Sequence, residues 1–182
     1  MSSVLAQNHF EIFSLPQSYA LDRALLDARY RELQRAFHPD RFASAGDHER
    51  RVSIQQAAQI NEAYQVLKDP LRRGQYLLEL RGNVLNDEQD THQDPVFLMQ
   101  QIELREALGE VRGTPDPLVA LEMLATDIRN QYAELQAALE LALDAGDDAA
   151  GEALVLVRRM QFFTRLQEEV QALEADLEDE LF

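Results

Sequence analysis

Apolar residues recur at intervals of three and four through most of this chain, which is the spacing of one face of an α-helix. Nowhere in the sequence do β-branched residues alternate with polar ones, as they do in a half-buried strand. Glycine and proline number only 7 and 6 among 182 residues, so few residues interrupt the helical pattern. The sequence therefore predicts an all-α protein.

Four helical segments are predicted in residues 1–82. A short one around "HFEIFSL" stops at Pro16, and a second begins after Asp22, a residue type that caps helices. A third covers 48–68 and ends at "KDP", because proline disfavours helix at the residue before it. A fourth is "PLRRGQYLLEL". The second and third helices carry apolar stripes that suit an antiparallel pair: Leu26, Tyr30, Leu33 and Phe37 on one, and Ala57, Ile60, Tyr64 and Leu67 on the other.

The second half of the chain predicts a three-helix bundle over residues 95–182. Residues 83–94 are polar and acidic, and we expect them to form a linker. Three helical runs follow, starting at Pro95, after "GTPDP" and after "AGDDAAG". The last two have long apolar seams that need a third helix to cover them. The seams are Leu121, Leu124, Ile128, Tyr132, Leu135, Leu139 and Leu143, then Phe163, Leu166, Val170, Leu173, Leu177 and Leu181.

Charge and composition exclude several classes of function. The net charge is −16, and it is concentrated in residues 83–182, which carry 23 Asp and Glu against 6 Lys and Arg. Such a surface repels nucleic acid and anionic membranes. The absence of cysteine excludes disulfides, thiolate nucleophiles and cysteine-ligated metal centres. With no signal peptide and no apolar run of membrane-spanning length, we expect a cytoplasmic protein with no cofactor and no metal.

The tripeptide His38-Pro39-Asp40 directly follows Phe37, the last residue of the apolar stripe on the second helix. Pro39 fixes the direction of the chain and disfavours helix at His38, so a stiff turn presents an imidazole and a carboxylate. Charged groups on a rigid scaffold serve docking more often than stability. Three arginines surround the same place, namely Arg31, Arg35 and Arg41.

A catalytic or metal-binding role for the tripeptide has little support. His38 and Asp40 resemble two members of a catalytic triad, but no nucleophile and no oxyanion-binding motif accompany them. The four histidines include no pair at the i, i+3 or i, i+4 spacing that brings ligands together on a helix. We expect no enzymatic activity. A hydrolase that uses His38 and Asp40 remains an alternative, and hydrolysis by the purified chain would reveal it.

The segment "YRELQRAFHPDRF", followed by "QINEAYQVLKDP", resembles the J-domain of DnaJ-type co-chaperones. The His-Pro-Asp loop between the second and third helices is the signature of that family, and it stimulates ATP hydrolysis by DnaK-type chaperones. The resemblance assigns this role to His38, Pro39 and Asp40 directly. By position it extends to the basic residues Arg35, Arg41 and Arg31.

The rest of the chain resembles one branch of these proteins. "LRRGQYLLELRG" and "FLMQQIELREAL" are similar to HscB, the J-type co-chaperone of iron–sulfur cluster assembly. The resemblance implies two partners: an ATPase chaperone of the HscA type, and the cluster scaffold IscU, which HscB delivers to it. A J-domain co-chaperone with a different client is the alternative. We expect the chain to be a monomer.

The helix that starts at Pro95 is apolar on two sides. Phe97, Leu104, Leu108 and Val111 suit the bundle, whereas Leu98, Met99 and Ile102 lie elsewhere on its circumference. The residues alone leave open whether this second side is core or faces a partner. The HscB resemblance implies the latter, because this segment matches the scaffold-binding segment of the family. The implied scaffold-binding residues are Leu98, Met99, Ile102, Glu103, Glu106 and, from the last helix, Phe162.

Overall fold

The computed structural model of the chain describes residues 7–38, 46–83 and 94–180. Within these ranges the regular structure is entirely helical, which confirms the predicted all-α class. Two short 3-10 turns, Val111–Gly113 and Asp147–Ala149, stand before the last two helices. The helices are α1 (His9–Ile12), α2 (Arg23–Phe37), α3 (Asp47–Lys68), α4 (Pro70–Leu80), α5 (Pro95–Glu110), α6 (Pro117–Asp144) and α7 (Ala150–Asp179).

The chain divides into two compact units, Met1–Arg81 and Gly82–Phe182. Most of the predicted linker, at 84–93, lies outside the described residues, as does Leu181 at the end of the predicted seam.

Helices α2 and α4 of the first unit each begin at an aspartate that caps the helix. The Asp22 carboxylate accepts a hydrogen bond from the Leu25 backbone N–H (3.0 Å) at the start of α2, as predicted. Asp69 caps α4 in the same way, accepting from the Arg72 N–H (2.9 Å), and Pro70 occupies the first helical position. The third helix ends at Lys68, before Asp69 and Pro70, because of the geometry that proline imposes.

Helices α2 and α3 are antiparallel, as their end contacts show. The Arg23 guanidinium, at the first residue of α2, donates to the carbonyl of Lys68, the last residue of α3 (3.1 Å). At the other end the Ser53 hydroxyl of α3 donates to the carbonyl of Phe37, the last residue of α2 (3.3 Å). The fully buried large side chains of this unit include Phe10, Phe13, Leu26, Ile60, Leu67 and Leu78.

The second unit is a bundle of α5, α6 and α7. The predicted seams of α6 and α7 supply its core, and α5 covers them with Leu104 and, just past its end, Val111. The core reaches further toward the start of α7 than the predicted seam. The additional buried residues of α7 are Ala153, Leu156, Val157 and Met160.

Candidate functional site

Helix α2 ends at Phe37, immediately before the predicted chaperone-binding tripeptide. His38 has extended backbone geometry (φ −61°, ψ 128°), which is the geometry that a following proline favours. Its side chain is exposed. Pro39, Asp40 and Arg41 lie outside the described residues.

The outer face of α2 is basic. Arg31 and Arg35 are both exposed there, and the helix holds four arginines against two carboxylates. Arg23 pairs with Asp27 (2.8 Å) and Arg29 with Glu32 (3.3 Å), both at exposed positions where an ion pair adds little stability. Counted over its side chains, α2 carries a net charge of +2, and it is the helix that leads to His38.

The second apolar side of α5 is exposed. Leu98, Met99 and Ile102 retain 49%, 55% and 42% of their accessible surface, whereas Leu104 on the core side retains 7%. A core role for these three residues within the bundle is therefore excluded, and their scaffold-binding role stays a prediction. The acidic Glu103 and Glu106 are also exposed on α5. We call these five residues, Leu98, Met99, Ile102, Glu103 and Glu106, the α5 patch.

Phe162 of α7 is half-buried beside α5. Its ring meets that of Phe97 edge to face at a centroid distance of 5.7 Å, and that of Phe163 at 5.4 Å. The guanidinium carbon of Arg105 lies 5.7 Å from the centre of the Phe162 ring. The predicted scaffold-binding residue of α7 is thus in contact with the helix that carries the α5 patch.

A charged clamp fixes the start of α5 on α7. Asp94 caps α5, accepting from the backbone N–H groups of Val96 (3.1 Å) and Phe97 (3.2 Å). Arg159 of α7 donates to the same carboxylate, and its guanidinium carbon lies 5.1 Å from the centre of the Phe97 ring. The hydrogen bond from the Phe97 N–H holds the pKa of Asp94 below its ordinary value, and Arg159 contributes in the same direction. The clamp holds the first turn of α5, which ends at Leu98, immediately before Met99.

Sequence reasoning missed Arg105 and the Asp94–Arg159 clamp. The order Asp94-Pro95 was a readable signal, because Asp at the N-cap and Pro at the first helical position mark a helix start. Nothing in the spacing of Arg159 or Arg105 indicated which ring each would cover, since that depends on how α5 packs on α7.

The described ranges, 7–38, 46–83 and 94–180, contain neither a metal-binding cluster nor a membrane-spanning helix. Across these ranges no three His, Asp or Glu side chains are grouped so as to hold a metal ion. No helix there is long and apolar enough to cross a bilayer.

Two families match the chain in succession. The DnaJ domain matches residues 8–76, a range that contains His38-Pro39-Asp40 and the α2–α3 pair. The HSCB C-terminal oligomerisation domain matches residues 93–171, which include α5, α6 and most of α7. A J-domain joined to this C-terminal helical domain defines the class of protein, a J-domain co-chaperone.

Similarity to whole proteins identifies the family within that class. A co-chaperone protein HscB homolog of Aeromonas salmonicida is 46% identical over 93% of this chain and 98% of its own, and one of Vibrio campbellii is 44% identical over the same shares. The chaperone HscB structure from Vibrio cholerae superposes with a TM-score of 0.86 at 43% identity, covering 94% of this chain and 99% of that one. Human co-chaperone HscB gives 0.85 at 27% identity, covering 93% and 83%. This chain belongs to the HscB family.

Proposed function

We propose that this chain is a non-enzymatic adaptor that stimulates ATP hydrolysis by an HscA/DnaK-type chaperone and delivers the iron–sulfur scaffold IscU to it. It would thereby support the maturation of iron–sulfur proteins in the cytoplasm, without a cofactor of its own. One observation carries the proposal: a member of the HscB family exposes four large apolar side chains on one helix of 16 residues, namely the predicted Leu98, Met99 and Ile102 and also Val96.

The chaperone is engaged by the His38-Pro39-Asp40 tripeptide and the basic face of α2. A carboxylate in a stiff turn recognises a cation, and Asp40 would take that role. Arginines recognise carboxylates on the chaperone and accelerate encounter by charge. The basic contacts are Arg31, Arg35 and, beyond the tripeptide, Arg41.

The scaffold is engaged by the α5 patch and Phe162. The exposed Leu98, Met99 and Ile102 supply apolar area, and the flexible thioether of Met99 adapts to a partner surface. Interface energy concentrates in a few such apolar anchors. Glu103 and Glu106 add an acidic edge that orients a partner and speeds its approach. The two contacts on one chain raise the effective concentration of the scaffold near the chaperone.

The experiment is an ATPase assay with an HscA-type chaperone, in four arms: chaperone alone, with this chain, with IscU, and with both. We expect stimulation by this chain alone and a larger-than-additive rate with both proteins. Stimulation that IscU leaves unchanged would favour the alternative, a J-domain co-chaperone with another client. Hydrolysis of ATP or ester substrates by this chain alone would favour the hydrolase.

The oligomeric state is a separate question. We expect a monomer, whereas the description of the matching C-terminal family names oligomerisation. Sedimentation velocity over a hundredfold range of concentration, at low and high salt, answers it. High salt matters because the net charge of −16 opposes self-association at low ionic strength.

A further inference from the structure

Ser53 stands out because it is polar and buried. It retains 1% of its accessible surface, and within the described parts of the chain it is, apart from Tyr19, the one buried side chain that carries a hydroxyl, amide or charged group. It lies in the second turn of α3, where alanine would favour the helix more and would fit the same space. A buried hydroxyl in such a place needs a hydrogen-bond partner.

The partner of Ser53 is the carbonyl of Phe37, at a distance of 3.3 Å. In helices a serine hydroxyl commonly bonds to the carbonyl four residues earlier in its own helix. Here the hydroxyl instead crosses to the last residue of α2. Because α2 ends at Phe37, no backbone N–H of a further helical turn donates to this carbonyl.

The Phe37 carbonyl belongs to the same peptide plane as the His38 N–H. A hydrogen bond that fixes the orientation of the carbonyl therefore also fixes the orientation of the peptide group between Phe37 and His38. His38 has extended geometry at this point, so the direction of the chain changes here. The hydrogen bond acts on the first residue of the tripeptide from the side of α3.

We propose that Ser53 is a positioning residue, which holds the end of α2 so that His38 is presented to the chaperone in one orientation. The proposal rests on the proposed function, since it assumes that the tripeptide stimulates a chaperone. Without the hydroxyl, the Phe37 peptide samples several orientations, and only a fraction of the molecules is competent to bind. The apparent dissociation constant for the chaperone therefore rises by the reciprocal of that fraction.

The test compares Ser53→Ala with the intact chain in stimulation of an HscA-type chaperone. The concentration of chain that gives half-maximal stimulation should rise about two- to tenfold, the range expected for one net hydrogen bond. The maximal rate should be unchanged, because every bound molecule still carries the same tripeptide. Ser53→Cys, close in size but a weak donor, should behave like Ser53→Ala, and Ser53→Thr, which keeps the hydroxyl, should restore the intact behaviour.

Ala63→Gly is the matched control. Ala63 is buried in the same helix but lies more than two turns beyond Ser53, and glycine destabilises a helix interior. This variant should lower the melting temperature and leave the half-maximal concentration unchanged. If Ala63→Gly raises that concentration as much as Ser53→Ala does, Ser53 acts through stability alone and the proposal is wrong.

Two further outcomes separate this proposal from the proposed function. If the intact chain stimulates and Ser53→Ala stimulates with the same half-maximal concentration, the positioning role is rejected while the co-chaperone function stands. If the intact chain fails to stimulate, both are rejected. Amide NMR of the free chain gives a second readout: Ser53→Ala should broaden or shift the His38 N–H signal, and an unchanged signal contradicts the proposal.

Discussion

The ring of Tyr30 in α2 lies parallel to that of Tyr64 in α3, with centroids 3.9 Å apart and planes 13° apart. The hydroxyl group of each tyrosine also donates a hydrogen bond. The Tyr30 hydroxyl donates to the Asn61 side chain (2.9 Å), and the Tyr64 hydroxyl donates to Asp27 (3.0 Å). The stack thus joins the two helices that flank the tripeptide in the sequence, and polar contacts fix it on both sides.

Tyr64 allows the stack and its hydrogen bonds to be measured separately. Tyr64→Phe keeps the ring and removes the hydroxyl, which donates to Asp27 and accepts from Arg23 (3.3 Å). Because both contacts are partly exposed, the loss in free energy of unfolding should be about 0.5–1.5 kcal/mol. Tyr64→Ala also removes the ring and, because the side chain is only half-buried, should cost about 2–4 kcal/mol. Urea denaturation measures both. Equal losses in the two variants would mean that the stacked rings contribute nothing.

The tripeptide is expected to act on the chaperone and not on the fold. His38→Gln and Asp40→Asn should each abolish stimulation of an HscA-type ATPase, because they remove the imidazole and the carboxylate that the chaperone would recognise. His38 is exposed, so its replacement should leave helicity and melting temperature unchanged. Circular dichroism and a steady-state ATPase assay check this. Full stimulation by both variants would contradict the assignment of the tripeptide.

The two apolar sides of α5 should differ in their effect on stability. Leu104→Ala, and Leu166→Ala in the facing helix α7, truncate buried side chains and should cost about 2–5 kcal/mol. Leu98→Ala and Ile102→Ala truncate side chains that are more than 40% exposed and should cost less than about 1 kcal/mol. Thermal denaturation of the four variants is the measurement. Similar losses in both pairs would show that the α5 patch is covered in solution.

His9 gives the first unit a dependence on pH. Its ring stacks on Tyr76 with centroids 4.2 Å apart, and its Nδ1 atom is buried with no hydrogen-bond partner. Burial holds the pKa of His9 below its ordinary value of 6.5; Arg72 acts in the same direction, whereas Glu62 and Glu79 oppose it. The unfolded chain therefore binds a proton at a higher pH than the folded chain does.

It follows that this part of the stability is complete above the unfolded pKa and is lost as the pH falls from there through the folded pKa. Urea denaturation should show a lower free energy of unfolding at about pH 5 than at about pH 7.5. His9→Phe keeps a stacked ring without a titrating group, so this difference should be smaller in the variant. The carboxylates with lowered pKa, Asp27, Asp94 and Glu122, lose their contribution at lower pH and do not obscure this window. An identical pH dependence in His9→Phe would contradict the role of this histidine.

Helix positions could be predicted because the signals for them are local. The cap at Asp22, the proline after Asp69 and the four-three spacing of Leu26, Tyr30 and Leu33 each act within a turn or two of the chain. The buried partner of Ser53 could not be predicted in this way, because the hydrogen bond joins residues 16 positions apart on two helices. Predicting this hydrogen bond requires knowing which residues of α2 and α3 lie opposite one another.

The candidate scaffold site shows the same limit. The sequence placed Leu98, Met99 and Ile102 on a side of α5 away from Leu104, since helical geometry fixes directions around one axis. Whether that side was covered depended on how far the bundle wraps around α5, which periodicity does not encode. The neighbourhood of Phe162, with Phe97 beside it and Arg105 over its ring, likewise arises from packing between α5 and α7.

The client assignment predicts different effects for the apolar and acidic parts of the α5 patch. A triple Leu98/Met99/Ile102→Ala variant should weaken IscU binding at least about tenfold, or ~1.4 kcal/mol, because buried apolar anchors carry most interface energy. Glu103→Gln with Glu106→Gln should have a smaller effect that shrinks as salt is added, since exposed charges at a rim are screened. Neither variant should change stimulation of the chaperone in the absence of IscU, because His38-Pro39-Asp40 belongs to the other unit. Titration calorimetry with purified scaffold measures the affinities, and undiminished binding by the triple variant would remove the α5 patch from consideration.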